Sequence, residues 1–162
     1  LGLPFDKGGV LAKQGTLHLP LLEALNTLDF YHKRPPKSLG LEWVQSTIFP
    51  IIATFDLETN SVLRTLVEHT AIQIVDVLHH YNLSYGLFTG GGVLNAFLVT
   101  RIEALLGSEI NDVDSDLIHF KEALIFAFLG VLKLRNEVNC LQSVTGAKQD
   151  HSSGKIYFPH MD

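Results

Sequence analysis

Thr89-Gly90-Gly91-Gly92 sits between an apolar run, Tyr85 to Phe88, and an amphipathic stretch, Val93 to Leu106. A strand that breaks into consecutive glycines and then a helix lets a ligand approach bare backbone, with helix amides pointing at it. That arrangement suits the oxygens of a nucleotide or a sugar. The same glycines also serve as an ordinary tight turn between strand and helix. A second candidate is Glu122, which follows Lys121 in the first turn of a predicted helix from Phe120 to Leu134. It reads either as a first-turn acid favoured by the helix dipole or as a carboxylate aimed into a cleft.

Other residue types that often do chemistry point elsewhere. Asp112, Asp114 and Asp116 alternate like the start of a calcium loop but lack its central glycine and distal glutamate, so they read as a solvated turn. No His/Cys cluster has metal-ligand spacing, and no metal site is predicted. The single cysteine, Cys140, forms no internal disulfide and reads as a small apolar residue in a chain suited to a reducing compartment. His69, His79 and His80 fall on a predicted long helix, where solvation of a helix face or capping accounts for them better than ligation.

The 162 residues, 46% hydrophobic and 18% charged, suit one globular domain with a buried core. A net charge of −5, with lysines and arginines scattered, argues against nucleic acid and anionic membrane as partners. No charged-then-apolar leader opens the chain and no window of about 18 apolar residues occurs, so a cytoplasmic location is expected. Leu1 to Gly9 reads as a turn from the middle of a domain, as if the chain began inside a larger protein.

The elements that must position these groups follow from periodicity. Leu21, Leu22, Leu25 and Leu28 predict a short helix within Leu17 to Leu28, and Arg34 to Ser38, with paired prolines, a loop. Trp43 to Phe55, interrupted by Pro50, fits either a short strand or a helix with a connection. Glu58 to Tyr81 repeats apolar residues every three or four positions and predicts a long helix half buried against a sheet. Phe120 to Leu134 is apolar nearly all round, which implies burial on most faces. Lys155 to Phe158 fits a short strand. The alternation of helix and strand implies an α/β layered fold.

Several motifs in order carry a resemblance. Thr89 to Gly92 with Asn95, Lys121 to Leu129, and Asn139 with Ser143-Val144-Thr145-Gly146-Ala147 resemble the C-terminal half of the 1,6-anhydro-N-acetylmuramic acid kinase family. Phe5-Asp6-Lys7 with Ala12 and Gly15, Pro35 to Glu42, and Thr65-Leu66 with Thr70-Ala71 resemble the same family upstream. The resemblance implies a C-terminal ribonuclease-H-like α/β domain of the actin-like, sugar-kinase-like ATPase superfamily, expected to lack its first strands, as one domain of a two-domain protein. It implies ATP and Mg²⁺ as cofactors and an anhydro amino sugar as substrate. In the implied reaction water opens the anhydro ring while ATP phosphorylates the 6-oxygen, giving N-acetylmuramic acid 6-phosphate for cell-wall recycling.

Carried over residue by residue, Gly90, Gly91, Gly92 and Asn95 match the family's nucleotide-contacting turn, and Glu122 its Glu-Ala motif, whose acid faces the cleft. Glu122 would hydrogen-bond a sugar hydroxyl or orient water. Lys37, Ser38 and Glu42 match a motif that usually has Arg where this chain has Leu41, so an arginine's charge and donors are absent at that point. Thr145 would contribute either a hydroxyl or a turn. The family's phosphate loop and general-base aspartate have no counterpart here, so this chain alone is expected to be inactive. Its exposed sheet edge and helix faces are expected to meet the missing N-terminal half or a second copy.

Two rivals come from other classes. One is a non-catalytic actin-like module for nucleotide binding or interaction. The other is a dinucleotide-binding oxidoreductase domain, which the Asn95 in place of a third glycine argues against.

Overall fold

The computed structural model describes Gly2 and residues 4–83, 86–110 and 113–157. Its contacts divide the chain into two compact units, Leu1–Lys33 with Ser38–Ile118, and Arg34–Lys37 with His119–Asp162.

In the first unit a 3-10 turn, Lys7–Gly9, leads into α1 (Val10–Gln14). Asp6 caps α1, one carboxylate oxygen accepting from Leu11 N–H at 3.0 Å and the other from Ala12 N–H at 2.9 Å. Helix α2 (Leu19–Asn26) realises the predicted leucine stripe and buries Leu21 and Leu25 completely. Each such side chain contributes roughly 1.5–3 kcal/mol by leaving water. After α3 (Asp29–His32), the segment around the paired prolines carries no helix until α4 (Leu41–Trp43).

Of the two readings open for Trp43 to Phe55, the helical one holds. A π-helical turn, Val44–Ile48, joins α4 to α5 (Phe49–Ala53). Pro50 explains the π turn: it cannot donate to the Ser46 carbonyl and its ring crowds that carbonyl, so the helix widens just ahead of it. Ile48 joins Leu21 and Leu25 in a core that Trp43, Ile52 and Phe55 also pack against.

The long predicted helix is α6 (Thr59–His80). It lies against α1, α2 and α7 (Ala96–Leu106), so helices take the place of the sheet expected beneath it. Ala71 and Val75 on α6 pack with Ile102 of α7 in a second core, joined by Leu98 and Phe88. An asparagine ends α6: Asn82 adopts φ 52°, and the N–H groups of Asn82 and Leu83 return to the carbonyls of His79 and Leu78. This is the Schellman arrangement, which satisfies carbonyls left free by the last turn.

In the second unit, helix α8 (Ser115–Leu134, in this unit from His119 onward) ends the same way at Asn136, φ 56°. The tail folds back along its C-terminal end, with Asn139 donating to the Leu129 and Ser153 carbonyls and Lys133 Nζ to the Ser152 carbonyl. A short helix, α9 (Gln142–Thr145), closes on Gly146.

Four sequence expectations are not met among the described residues. The α/β layering is not formed among the described residues: their β pairing is an isolated antiparallel bridge, Cys140 with His151. The predicted strand Tyr85 to Phe88 lies partly outside the described residues, and Gly86–Thr89 adopts no regular structure. A strand forms only where a neighbouring backbone accepts and donates its hydrogen bonds along its length. The predicted strand at Lys155 to Phe158 likewise has no regular structure through Tyr157, Phe158 lying outside the described residues. Finally, α8 buries none of its residues: Phe120, Leu124 and Phe126 are 63%, 61% and 70% exposed. No helix of the described residues is long and apolar enough to cross a membrane.

Candidate functional site

The glycine turn begins at Gly90, whose φ of 80° and ψ of −178° are open essentially to glycine alone. A 3-10 turn follows, Gly91–Leu94, held by Val93 N–H to Gly90 O and Asn95 N–H to Gly92 O. Both Gly91 and Gly92 are exposed, and a Cβ on either would meet no atom within 4 Å. An approaching group therefore meets backbone on that side.

Asn95 then starts α7 as its N-cap, Oδ1 accepting from Leu98 N–H at 3.1 Å. The helical part predicted from Val93 thus divides into a 3-10 turn and an α-helix at this cap. Asn95 also meets the N-terminal turn of the chain: a Cβ on Gly9, at φ 73°, would overlap Asn95 Oδ1 and strike Phe97 Cβ at 2.6 Å. Only glycine permits both that conformation and that approach. Asp6 and Asn95 accordingly line one cavity of about 160 Å³, walled by Ala12, Leu66 and Leu98. Motifs separated by some eighty positions in sequence are thereby brought together in the first unit.

Between α6 and α7 lies an ion cluster that the sequence does not announce. Glu68 of α6, 5% exposed, accepts from Arg101 Nε at 2.7 Å and Arg101 Nη2 at 2.9 Å, and from Arg64 Nη1 at 2.7 Å. Burial pushes its carboxyl upward, but the hydrogen bonds and charges of Arg101 and Arg64 outweigh that and hold it below the usual range. Arg64 also lies over the Phe97 ring, 5.2 Å from its centroid. The Arg64–Glu68 spacing of four is a visible helix-pair signal; nothing in the sequence marks Arg101 as the third member.

His69, expected to be solvated or capping, is instead buried, at 5% exposure. Gln73 Nε2 donates to Asn26 Oδ1 at 3.1 Å, which fixes that oxygen as an acceptor. His69 Nδ1, 2.6 Å from it, therefore carries the proton, and Nε2 accepts from the Tyr31 hydroxyl at 2.9 Å. Burial lowers its pKa to about 4. His69 and Tyr31 border a larger, mainly apolar cavity of about 500 Å³ with Ile74, Leu87 and Phe88, which contains none of the predicted site residues. His79 and His80 are exposed in the last turn of α6, as expected of solvated histidines.

Glu122 belongs to the second unit and is exposed. It is not a first-turn acid, because α8 begins at Ser115 and Asp116 occupies that place. Asp114 Oδ1 accepts from Asp116 N–H at 2.7 Å, a local turn ahead of α8; Asp112 lies outside the described residues. Thr145 takes the turn role: its hydroxyl donates to Leu141 O and accepts from Ala147 N–H. Lys37, Ser38 and Glu42 are exposed. No group of three or more metal-ligating side chains occurs among the described residues.

Residues 1–159 match the family model described as anhydro-N-acetylmuramic acid kinase. Among curated proteins, the chain is 35% identical over 158 residues to an anhydro-N-acetylmuramic acid kinase of Sulfurovum sp., covering 94% of this chain and 43% of that protein. It is 34% identical to the one so named from Vibrio cholerae and 36% to that from Pasteurella multocida, in each case over 96% of this chain and 44% of the relative. The chain thus spans less than half the length of these relatives.

Proposed function

Because the chain belongs to the anhydro-N-acetylmuramic acid kinase family, we propose that it supplies the nucleotide-contacting part of an ATP-dependent sugar kinase. The observation that carries this reading is the glycine turn, open on its exposed side and leading into a capped helix N-terminus. Backbone amides and the positive end of α7 suit phosphate oxygens there. Gly90, Gly91 and Gly92 would line the phosphates. Asn95 would fix the turn's approach to them, since its side-chain oxygen is committed to Leu98 N–H.

The reaction proposed for the intact protein joins two events. Water opens the 1,6-anhydro bridge at C1, and the 6-oxygen so released takes the γ-phosphoryl group of ATP, giving N-acetylmuramic acid 6-phosphate and ADP. Mg²⁺ would neutralise phosphate charge in that transfer, which depends chiefly on positioning and electrostatics. Glu122 is proposed to hydrogen-bond a sugar hydroxyl or to orient the water. We place the chain as the C-terminal, ribonuclease-H-like α/β domain of a two-domain kinase, with its N-terminal half or a second copy as partner. A non-catalytic interaction module is the second reading, favoured by the uncovered apolar residues of α8.

Gly91→Ala tests the nucleotide site. Its methyl group enters open space beside the turn, so the fold should be kept while the approach of phosphate is obstructed. Affinity of the intact protein for MgADP should fall about tenfold or more, on the scale of other preorganised backbone-donor sites. Unchanged affinity would contradict the assignment.

A further inference from the structure

We infer that Glu68 is a positioning residue for the nucleotide: by binding Arg101 and Arg64 together it fixes the start of α7, and with it Asn95 and the glycine turn, in the orientation that receives phosphate. The inference rests on the nucleotide reading above and adds to it a residue that does not itself touch the turn.

Glu68 is the one acid in a cluster with two guanidinium groups, all of it at the α6–α7 contact. Arg101 approaches through two parallel N–H···O bonds, a geometry that fixes direction as well as distance. Arg101 lies on the second turn of α7, and Arg64 reaches over Phe97 in its first turn. Two successive turns of α7 are thus tied to one buried carboxylate. Phe97 and Asn95 are in turn the residues against which Gly9 closes, so the first turn of α7 is held from both sides.

The cluster also leaves one positive charge in excess, two arginines against one glutamate, with Arg64 lying over Phe97 in the first turn of α7. Its side chains are largely removed from solvent, 14% exposed at Arg64 and 28% at Arg101, which weakens screening of that charge. Orientation and field therefore both favour an anion at the turn.

Glu68→Gln keeps the size of the side chain and removes its charge, leaving one oxygen for two guanidinium groups. With MgADP as probe on the intact protein, titrated well below the unfolding midpoint, affinity should fall about tenfold, as expected for coupled neighbours. A purely structural Glu68 would instead lower the unfolding temperature and leave the affinity of the folded protein unchanged. Arg101→Lys, which keeps the charge and loses the paired hydrogen bonds, should weaken binding in the same sense. It serves as the test should Glu68→Gln not fold. If Gly91→Ala weakens binding while folded Glu68→Gln and Arg101→Lys bind as the wild type does, the inference is overturned and the nucleotide site stands. If Gly91→Ala has no effect, the nucleotide reading fails and this inference with it.

Discussion

His69 is the residue whose environment departs furthest from what its neighbours in sequence suggest. Its imidazole is held neutral between an acceptor, Asn26 Oδ1, and the Tyr31 hydroxyl, and its pKa falls to about 4 against 6.5 for a solvated histidine. A folded-state pKa below the unfolded one means that the unfolded chain binds the extra proton first as pH falls. Its contribution is therefore complete above pH 6.5 and is lost progressively between pH 6.5 and about 4, amounting to at most about 3 kcal/mol. Glu68, with its pKa held low, loses stability in the same direction as it is protonated. Urea unfolding midpoints should accordingly drop through this range, and His69→Gln, with no proton to gain there, should show a shallower decline. An equally steep decline in the variant would place the acid sensitivity elsewhere.

At the scale of elements, the helices were the legible part. The leucine spacing of α2, the long period of α6 and the apolar stretch ahead of Gly107 all appear in the sequence as local 3.6-residue patterns. The glycine break ahead of α7 was legible too, but the 3-10 turn Gly91–Leu94 and the Asn95 cap were not, because consecutive glycines admit many backbone conformations. What else escaped depends on partners. The apolar run Tyr85 to Phe88 has strand character in isolation, but pairing requires a second backbone, which no sequence window reports. The Glu68–Arg101 contact joins residues 33 positions apart, and His69 is buried by Asn26 and Tyr31 from around forty positions upstream. Helix α8 gives the clearest case. Its all-round apolar sequence predicts burial, yet Phe120, Leu124, Phe126 and Phe128 are exposed. Such a face favours association. Light scattering of the 162-residue chain should give a mass above the monomer that falls on Phe126→Glu. A strictly monomeric particle would contradict a covering partner at α8.

At the scale of the whole molecule, family membership and the glycine turn support one account. The first unit would offer the phosphate-binding turn, braced through α7 by the Glu68 cluster. Phosphoryl transfer needs the donor, the metal charge and the acceptor oxygen held together, so the chain alone should not turn over while the intact protein should. The decisive measurement is product formation from the anhydro sugar and MgATP, followed by ³¹P NMR for a sugar 6-phosphate. The account predicts N-acetylmuramic acid 6-phosphate and ADP in equal amounts from the intact protein, greatly reduced by Gly91→Ala, and none from residues 1–162 alone. ADP without a phosphorylated sugar, or turnover by the 162-residue chain alone, would contradict it.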